Sequence, residues 1–419
     1  MGKESYNQIM KLFNLTEKYL PYCLPALLIF SRSLADIVVV TLVILFLTKC
    51  FIEKDFSWLH DSWIKAFAAF LVFLVFLNSP FSLNPLDSFF YSIAWIRWPL
   101  FAIALSYWIF NNENSFNKLF YAIIFTFLIF IFDLFFQFFI HESGLLGLSE
   151  NQHQGRLSVP FSDNVIPGRF IYIFTFILIN LYCLRQLTLR QSLKNLFIFL
   201  VLSLSFFTIF ITGERMSFLI FVSSAIFLIF GLSFNNKKYV IGAFVFLIVS
   251  IFLLLIFYFF DPQIYSRTVT STIHKIYNLQ NSDYGTIFKI SFDKFLNNIL
   301  FGSGLHQYKG GEPIIGYAMD STKIMHAHNL PLNLLVETGI FGLILFYYVV
   351  YQIFKTFIYH ITENNALFFI VNALLLYLCF FPFHTHFSLS HNWINANIWF
   401  TVGIILSLNK FHERSLKNN

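Results

Sequence analysis

Twelve apolar runs dominate this chain, at roughly 19–31, 34–52, 62–78, 87–110, 118–140, 168–184, 194–212, 215–233, 239–260, 329–355, 366–384 and 392–409. Most reach the about 20 residues that a helix needs to cross hydrocarbon. The fold class expected is an all-α polytopic membrane protein with about twelve transmembrane helices. The first run is short and interrupted by Pro21 and Pro25, which leaves eleven as the alternative count. Composition agrees: 58% of residues are apolar and only 11% charged, far from the balance of a soluble globular protein.

The formal net charge of +6 comes without a basic block or an RNA-binding signature, so nucleic acid is not an expected partner. Topology accounts for it instead. With the N-terminus inside and twelve alternating spans, 16 Lys and Arg residues fall on the cytoplasmic side and 11 on the other, and the short connections are basic inside. Both termini are therefore expected in the cytoplasm. Residues 141–167 form a polar external loop, and residues 261–328 a larger one of 68 residues, long enough for short amphipathic helices such as Thr286 to Leu300. Repeats, Gly/Ser linkers and low-complexity tails are lacking, so residues 1–419 are expected to form a single membrane domain that includes the 261–328 loop.

Nearly all the unusual polar chemistry falls on the non-cytoplasmic face. His326-Ala327-His328-Asn329 leads into an apolar run whose N-cap residue and following Pro331 predict a helix starting at Asn329. Asn329, Asn333 and Glu337 recur every four residues and share one helix face. A carboxylate in so apolar a segment calls for a partner, so that face looks into protein or water. Glu337-Thr338-Gly339-Ile340-Phe341-Gly342 follows nine to fourteen residues beyond His328. Thr212-Gly213-Glu214-Arg215 sits at a helix mouth, where a cation meets the positive end of the helix dipole. Arg215 there reads either as an ion pair with Glu214 or as a clamp for phosphate, for which the guanidinium fork is well shaped. A second basic stretch, Gly155 to Asn164, carries Arg156 in a turn-rich segment, with Arg169 close behind; His384-Thr385-His386 adds two more imidazoles.

Metal ligation is a poor reading of these residues, since His326 and His328 are two apart, His384 and His386 likewise, and Asp-x-Asp is absent outside the membrane. Cys23, Cys50, Cys183 and Cys379 lie in or beside apolar runs without Cys-x-x-Cys spacing, which argues against disulfides and structural zinc. No cofactor is expected. The parts suit one reaction: a lipid diphosphate-sugar donor needs cations to stabilise the departing diphosphate and a base for the attacking hydroxyl. Fixed guanidinium groups supply the first without a metal, and a neutral imidazole the second. Arg215 and His328 fit those roles, with Arg156, His326, Asn329 and Glu337 as further substrate contacts.

The same residues resemble a known family. The His326 to Asn329 motif running into Val336 to Gly342, preceded by Asn298-Ile299-Leu300-Phe301-Gly302-Ser303-Gly304, is similar to the signature of the O-antigen ligase and polymerase superfamily. Thr212 to Arg215 and Arg156 to Phe161 resemble two further stretches, and the likeness covers the chain from about residue 140 onward. It implies a metal-independent, inverting glycosyltransferase on the periplasmic face of the bacterial inner membrane. Such an enzyme moves a glycan from undecaprenyl diphosphate to a hydroxyl of lipid A core or another acceptor, His328 being the base and Arg215 the diphosphate ligand. The chain departs from the family at Ser282 to Lys289, where ligases often carry an arginine, and at Val159, where glycine is common. Lys289, Arg267 and Arg156 are the candidates for the second cation. A ligase is the first reading and a polymerase of the same superfamily the alternative. A protein O-oligosaccharyltransferase is disfavoured because its additional C-terminal domain is missing. A transporter or flippase of lipid-linked saccharides is the rival from another class, disfavoured because polar residues gather at one face.

Overall fold

The computed structural model describes residues 3–145, 156–161, 166–185, 191–235, 238–310, 324, 326–358, 366–382, 388–389 and 391–418. Every regular element among them is helical. In chain order these are α1 (Lys3–Phe30), α2 (Arg32–Glu53), α3 (Ser62–Phe73), α4 (Pro85–Trp95), α5 (Arg97–Ala104), α6 (Glu113–Phe139), α7 (Pro167–Arg185), α8 (Gln191–Ile211), α9 (Arg215–Asn235), α10 (Lys238–Phe260), α11 (Pro262–Tyr265), α12 (Ser271–Tyr277), α13 (Asp283–Leu296), α14 (Leu330–Ile358), α15 (Ala366–Phe380) and α16 (Asn392–Asn418).

Five stretches are long and apolar enough to cross a membrane unaided: Arg32–Glu53, Pro85–Ile109, Glu113–Phe139, Pro167–Leu184 and Leu330–Ile358. A sixth is reached if the pair Phe244–Phe259 and Pro262–Tyr277, bent by 119°, counts as one span. Shorter apolar helices cover Ser62–Asn78, Asn195–Ile211, Arg215–Gly231 and Ala366–Phe380. The protein is thus a helical membrane protein with five candidate spans, or six with the bent pair.

Between lipid-facing helices the hydrophobic effect gives little drive, so close packing and polar contacts join them. α7 is buried all round from Phe170 to Leu181 and forms the central post. Asn180 of α7 meets Asn372 of α15 at 2.8 Å, and Thr175 meets Ser205 of α8 at 2.6 Å. Gly403 lets α16 lie directly on α5, where a Cβ would come within 2.7 Å of Leu105. Trp95 packs edge-on against Trp399 of α16 at 5.8 Å and against Phe70 of α3, which also touches Phe346 of α14.

One end of this bundle gathers the polar turns. Arg32 donates to the Phe161 carbonyl, Leu157 N–H to Thr212, Leu83 N–H to Ser303, and Leu330 N–H to Pro382. At the same end α14 breaks at Gly339, whose φ of +65° and ψ of −171° are open to glycine alone. The break frees two carbonyls, and the Asn298 to Gly304 segment takes them up: Ser303 N–H donates to Val336 O and Gly304 N–H to Glu337 O. Ile340 N–H returns a bond to Ile299 O, and Asn78 Nδ2 reaches both Phe301 O and Glu337 O. The two motifs are therefore halves of one joint, which fixes the outer turns of α14. The short helix expected at Thr286 to Leu300 lies at Asp283–Leu296 instead, started by Ser282 capping Gly285 N–H and ended before that joint.

Candidate active site

Asn329 caps α14, its Oδ1 accepting from Leu332 N–H at 2.9 Å, so the helix mouth lies where the sequence put it. One turn on, Asn333 Oδ1 accepts from Ala327 N–H and its Nδ2 donates to Glu337 Oε2 at 2.9 Å. The shared face of Asn333 and Glu337 thus ties the histidine loop down. Glu337 is buried; the N–H groups of His306 and Tyr308 approach its carboxylate, yet Oε1 closes no hydrogen bond among the described residues. His326 is buried beside His328, ring centroids 4.3 Å apart. His328 sits at φ +50°, a left-handed conformation uncommon outside glycine and a mark of local strain.

The guanidinium groups assemble around the α8–α9 turn. Arg215 Nε donates to Arg267 O at 3.0 Å, and Arg267 Nε donates to Gly213 O at 3.2 Å, a reciprocal clasp. Arg156 is brought alongside because the next residue bonds to Thr212 O and because Gln137 Oε1 accepts the N–H groups of Ser158 and Val159. Burial first, then the neighbouring Arg156 and Arg215 charges, depress the Arg267 pKa to about 10. Three like charges therefore share one corner. Glu214 does not pair with Arg215. Its carboxylate accepts Gly168 N–H at 2.6 Å and the Ser217 hydroxyl at 2.7 Å, at the mouth of α7, and burial raises its pKa to about 7. Behind it Arg169 is buried, its Nε and Nη2 without hydrogen-bond partners among the described residues.

Tyr284 of α13 connects the two groups. Its ring stands edge-on to His328 at 5.8 Å, its hydroxyl lies near Arg215 and Arg267, and Lys275 lies 5.5 Å from its centroid. Tyr284 falls in the very stretch where the chain departs from the ligase pattern. Of the candidate second cations, Arg267 and Arg156 lie at Arg215; Lys289 is exposed and lines a groove of about 550 Å³ with Phe288, Phe292, Asn329 and Leu332. His384, Thr385 and His386 lie outside the described residues, as do Gly155 and Ser162 to Asn164. Beside His326 a cavity of about 480 Å³ is lined by Glu337 and by His391, whose ring is 6.1 Å from His326. His391 carries no motif that a sequence reading could have singled out. Among the described residues no three His, Cys, Asp or Glu side chains converge as a metal site.

Residues 199–347 match the family model described as O-antigen ligase, a stretch that runs from α8 to the first half of α14. No curated protein matches the chain. The matched stretch, about a third of the chain, carries Arg215, Arg267, Tyr284, His326, His328 and Glu337 together, and over it the chain is similar to the O-antigen ligase family.

Proposed function

We propose that the protein transfers a glycan from undecaprenyl diphosphate to an acceptor hydroxyl on the periplasmic face of the bacterial inner membrane, as a ligase of twelve spans with both termini in the cytoplasm. The observation that carries this is the clasp of Arg215 and Arg267 beside Arg156, joined through Tyr284 to His328. Clustered cations without a matching cluster of carboxylates suit a ligand with two adjacent negative phosphates, and the guanidinium fork binds phosphate oxygens in pairs.

In the proposed step the acceptor oxygen attacks the anomeric carbon while the bond from that carbon to the phosphate oxygen breaks. The hydroxyl proton passes to a ring nitrogen of His328, and the charge left on the diphosphate rests on Arg215, Arg267 and Arg156. A single displacement inverts the anomeric centre. Preorganised donors of this kind are each worth about 10² to 10³ in rate, and a positioned base about 10² to 10⁴. His326 and Asn329 hold the His328 loop, and Glu337 orients it through Asn333.

A His328→Ala protein that inserts normally should lose transfer in membranes supplied with donor and acceptor, and retained transfer would remove it as the base. A polymerase would use the same residues, so the envelope glycan profile of a strain lacking the protein separates the two. Long chains left on the carrier lipid mark a ligase; core bearing a single repeat unit marks a polymerase. The concentration of polar chemistry at one end of the bundle counts against a transporter, whose site would lie near mid-membrane.

A further inference from the structure

The cavity lined by His391 has a composition of its own. Its volume of about 480 Å³ lies within the about 300–1,000 Å³ of small-molecule sites, enough for a short saccharide. Four basic side chains line it: Arg32, His306, Lys309 and His391. Burial, then the charges of Arg32, His306 and Lys309, lower the pKa of His391, so all three bear on one point. Of the carboxylates nearby, Asp87 lies 3.5 Å from His306 Nδ1, and the others are engaged away from the cavity's cations. Asp36 lies 3.6 Å from Arg97, which also bonds Asn392, and Glu337 is buried against Asn333.

Two of the four are held firmly. Arg32 lies over the Trp393 ring at 4.0 Å while donating to Phe161 O. His306 stacks on Tyr91 at 3.7 Å and is held at φ +68°, the same left-handed region as His328. Strained histidines at the cavity and at the imidazole pair are the kind of outlier that clusters at working sites. The cavity meets that pair through His391, so a sugar seated in it would turn a hydroxyl toward His326 and His328.

We propose that this cavity is the acceptor subsite and that the acceptor it takes is an acidic sugar, its carboxylate or phosphate ester held by Arg32 and Lys309. The proposal rests on the transfer reading for its biological meaning, but the binding it describes can be measured without turnover.

The test uses full-length protein in nanodiscs and three saccharides of equal length: one neutral, one bearing a uronic acid, one bearing a phosphate ester. Titration calorimetry on the wild type should give at least tenfold tighter binding of an acidic saccharide than of the neutral one, with the difference shrinking as salt is raised. Whichever acid binds more tightly identifies the source of the charge. Lys309→Glu, an exposed position, should erase most of that preference while leaving the neutral saccharide unchanged, and Arg32→Gln should do the same. Equal binding of the three, or loss of neutral binding in Lys309→Glu with the acidic preference intact, overturns the proposal. Acidic preference in a protein that never consumes donor would sustain the subsite and overturn the transfer reading alone.

Discussion

Replacing Gly339 by Ala attacks the joint that shapes the histidine end of α14. An alanine Cβ there would lie 2.3 Å from Leu300 O and 2.6 Å from Phe301 N, on a backbone with φ +65°. The strained conformation alone costs about 1–3 kcal/mol. Relieving the collision pulls apart the bonds from Ile340 N–H to Ile299 O and from Phe341 N–H to Leu300 O, about 1 kcal/mol each. The expected loss is therefore about 3–5 kcal/mol, read as a drop of several degrees in thermal unfolding of the detergent-solubilised protein, with transfer reduced at permissive temperature. Gly242 is the matched control. A Cβ there meets nothing within 4 Å, so Gly242→Ala should stay within about 1 kcal/mol of wild type. Gly302→Ala should mimic Gly339→Ala, because its Cβ would lie 2.5 Å from Glu337 C and Gly339 N. Combining the two should cost less than their sum, since both open the same contact. If Gly339→Ala unfolds with the Gly242→Ala protein, the joint is not what holds this end of α14.

Arg215→Lys keeps the charge but loses the fork and the bond to Arg267 O; kcat/KM for the donor should fall about 10- to 100-fold, matching about 1.5–3 kcal/mol for a charge-assisted bond, and unchanged kinetics would refute the clamp. Glu214 holds its pKa near 7, up from 4.5. The folded state thus keeps a proton that the unfolded chain gives up, so its stability contribution is full below about pH 4.5, declines through pH 7, and amounts to at most about 3 kcal/mol. Glu214→Gln should flatten that part of the stability-pH curve relative to wild type, and parallel curves would be the contrary result. Gln137→Ala strips the acceptor from Ser158 and Val159 N–H, about 1–3 kcal/mol per buried donor. It should raise the donor KM more than it lowers kcat, with rescue by Gln137→Glu; an effect on kcat alone would contradict a positioning role. Transfer should survive EDTA, and inhibition reversed by added divalent metal would count against fixed cations as the only charge stabilisers.

Local chemistry was legible in the sequence and long-range pairing was not. The Asn329 cap follows from an N-cap residue before Pro331, and the Asn333–Glu337 contact from four-residue spacing within one helix, so the order of residues alone predicts them. The Asn298 to Gly304 and Glu337 to Gly342 motifs were both visible, yet their contact was not, because nothing local says that a helix will break at Gly339 inside an apolar run and lend its carbonyls to a distant loop. The same holds for Glu214, which reads as a partner for its neighbour Arg215 but is claimed by Gly168 and Ser217. A buried N–H at a helix mouth and a hydroxyl one turn along satisfy the carboxylate's two oxygens at once, which a side chain next in sequence does not. The places of Tyr284 and His391 were invisible for a plainer reason: each makes a ring contact with a histidine distant in sequence.

The most direct measurement is donor binding and glycan transfer on the same reconstituted preparations of His328→Ala and Arg215→Ala. If guanidinium groups hold the diphosphate and the imidazole takes the proton, His328→Ala should bind undecaprenyl-diphosphate glycan as tightly as wild type and transfer none of it. Arg215→Ala should lose donor affinity. Transfer by His328→Ala, or unaltered donor binding by Arg215→Ala, would contradict that division of labour.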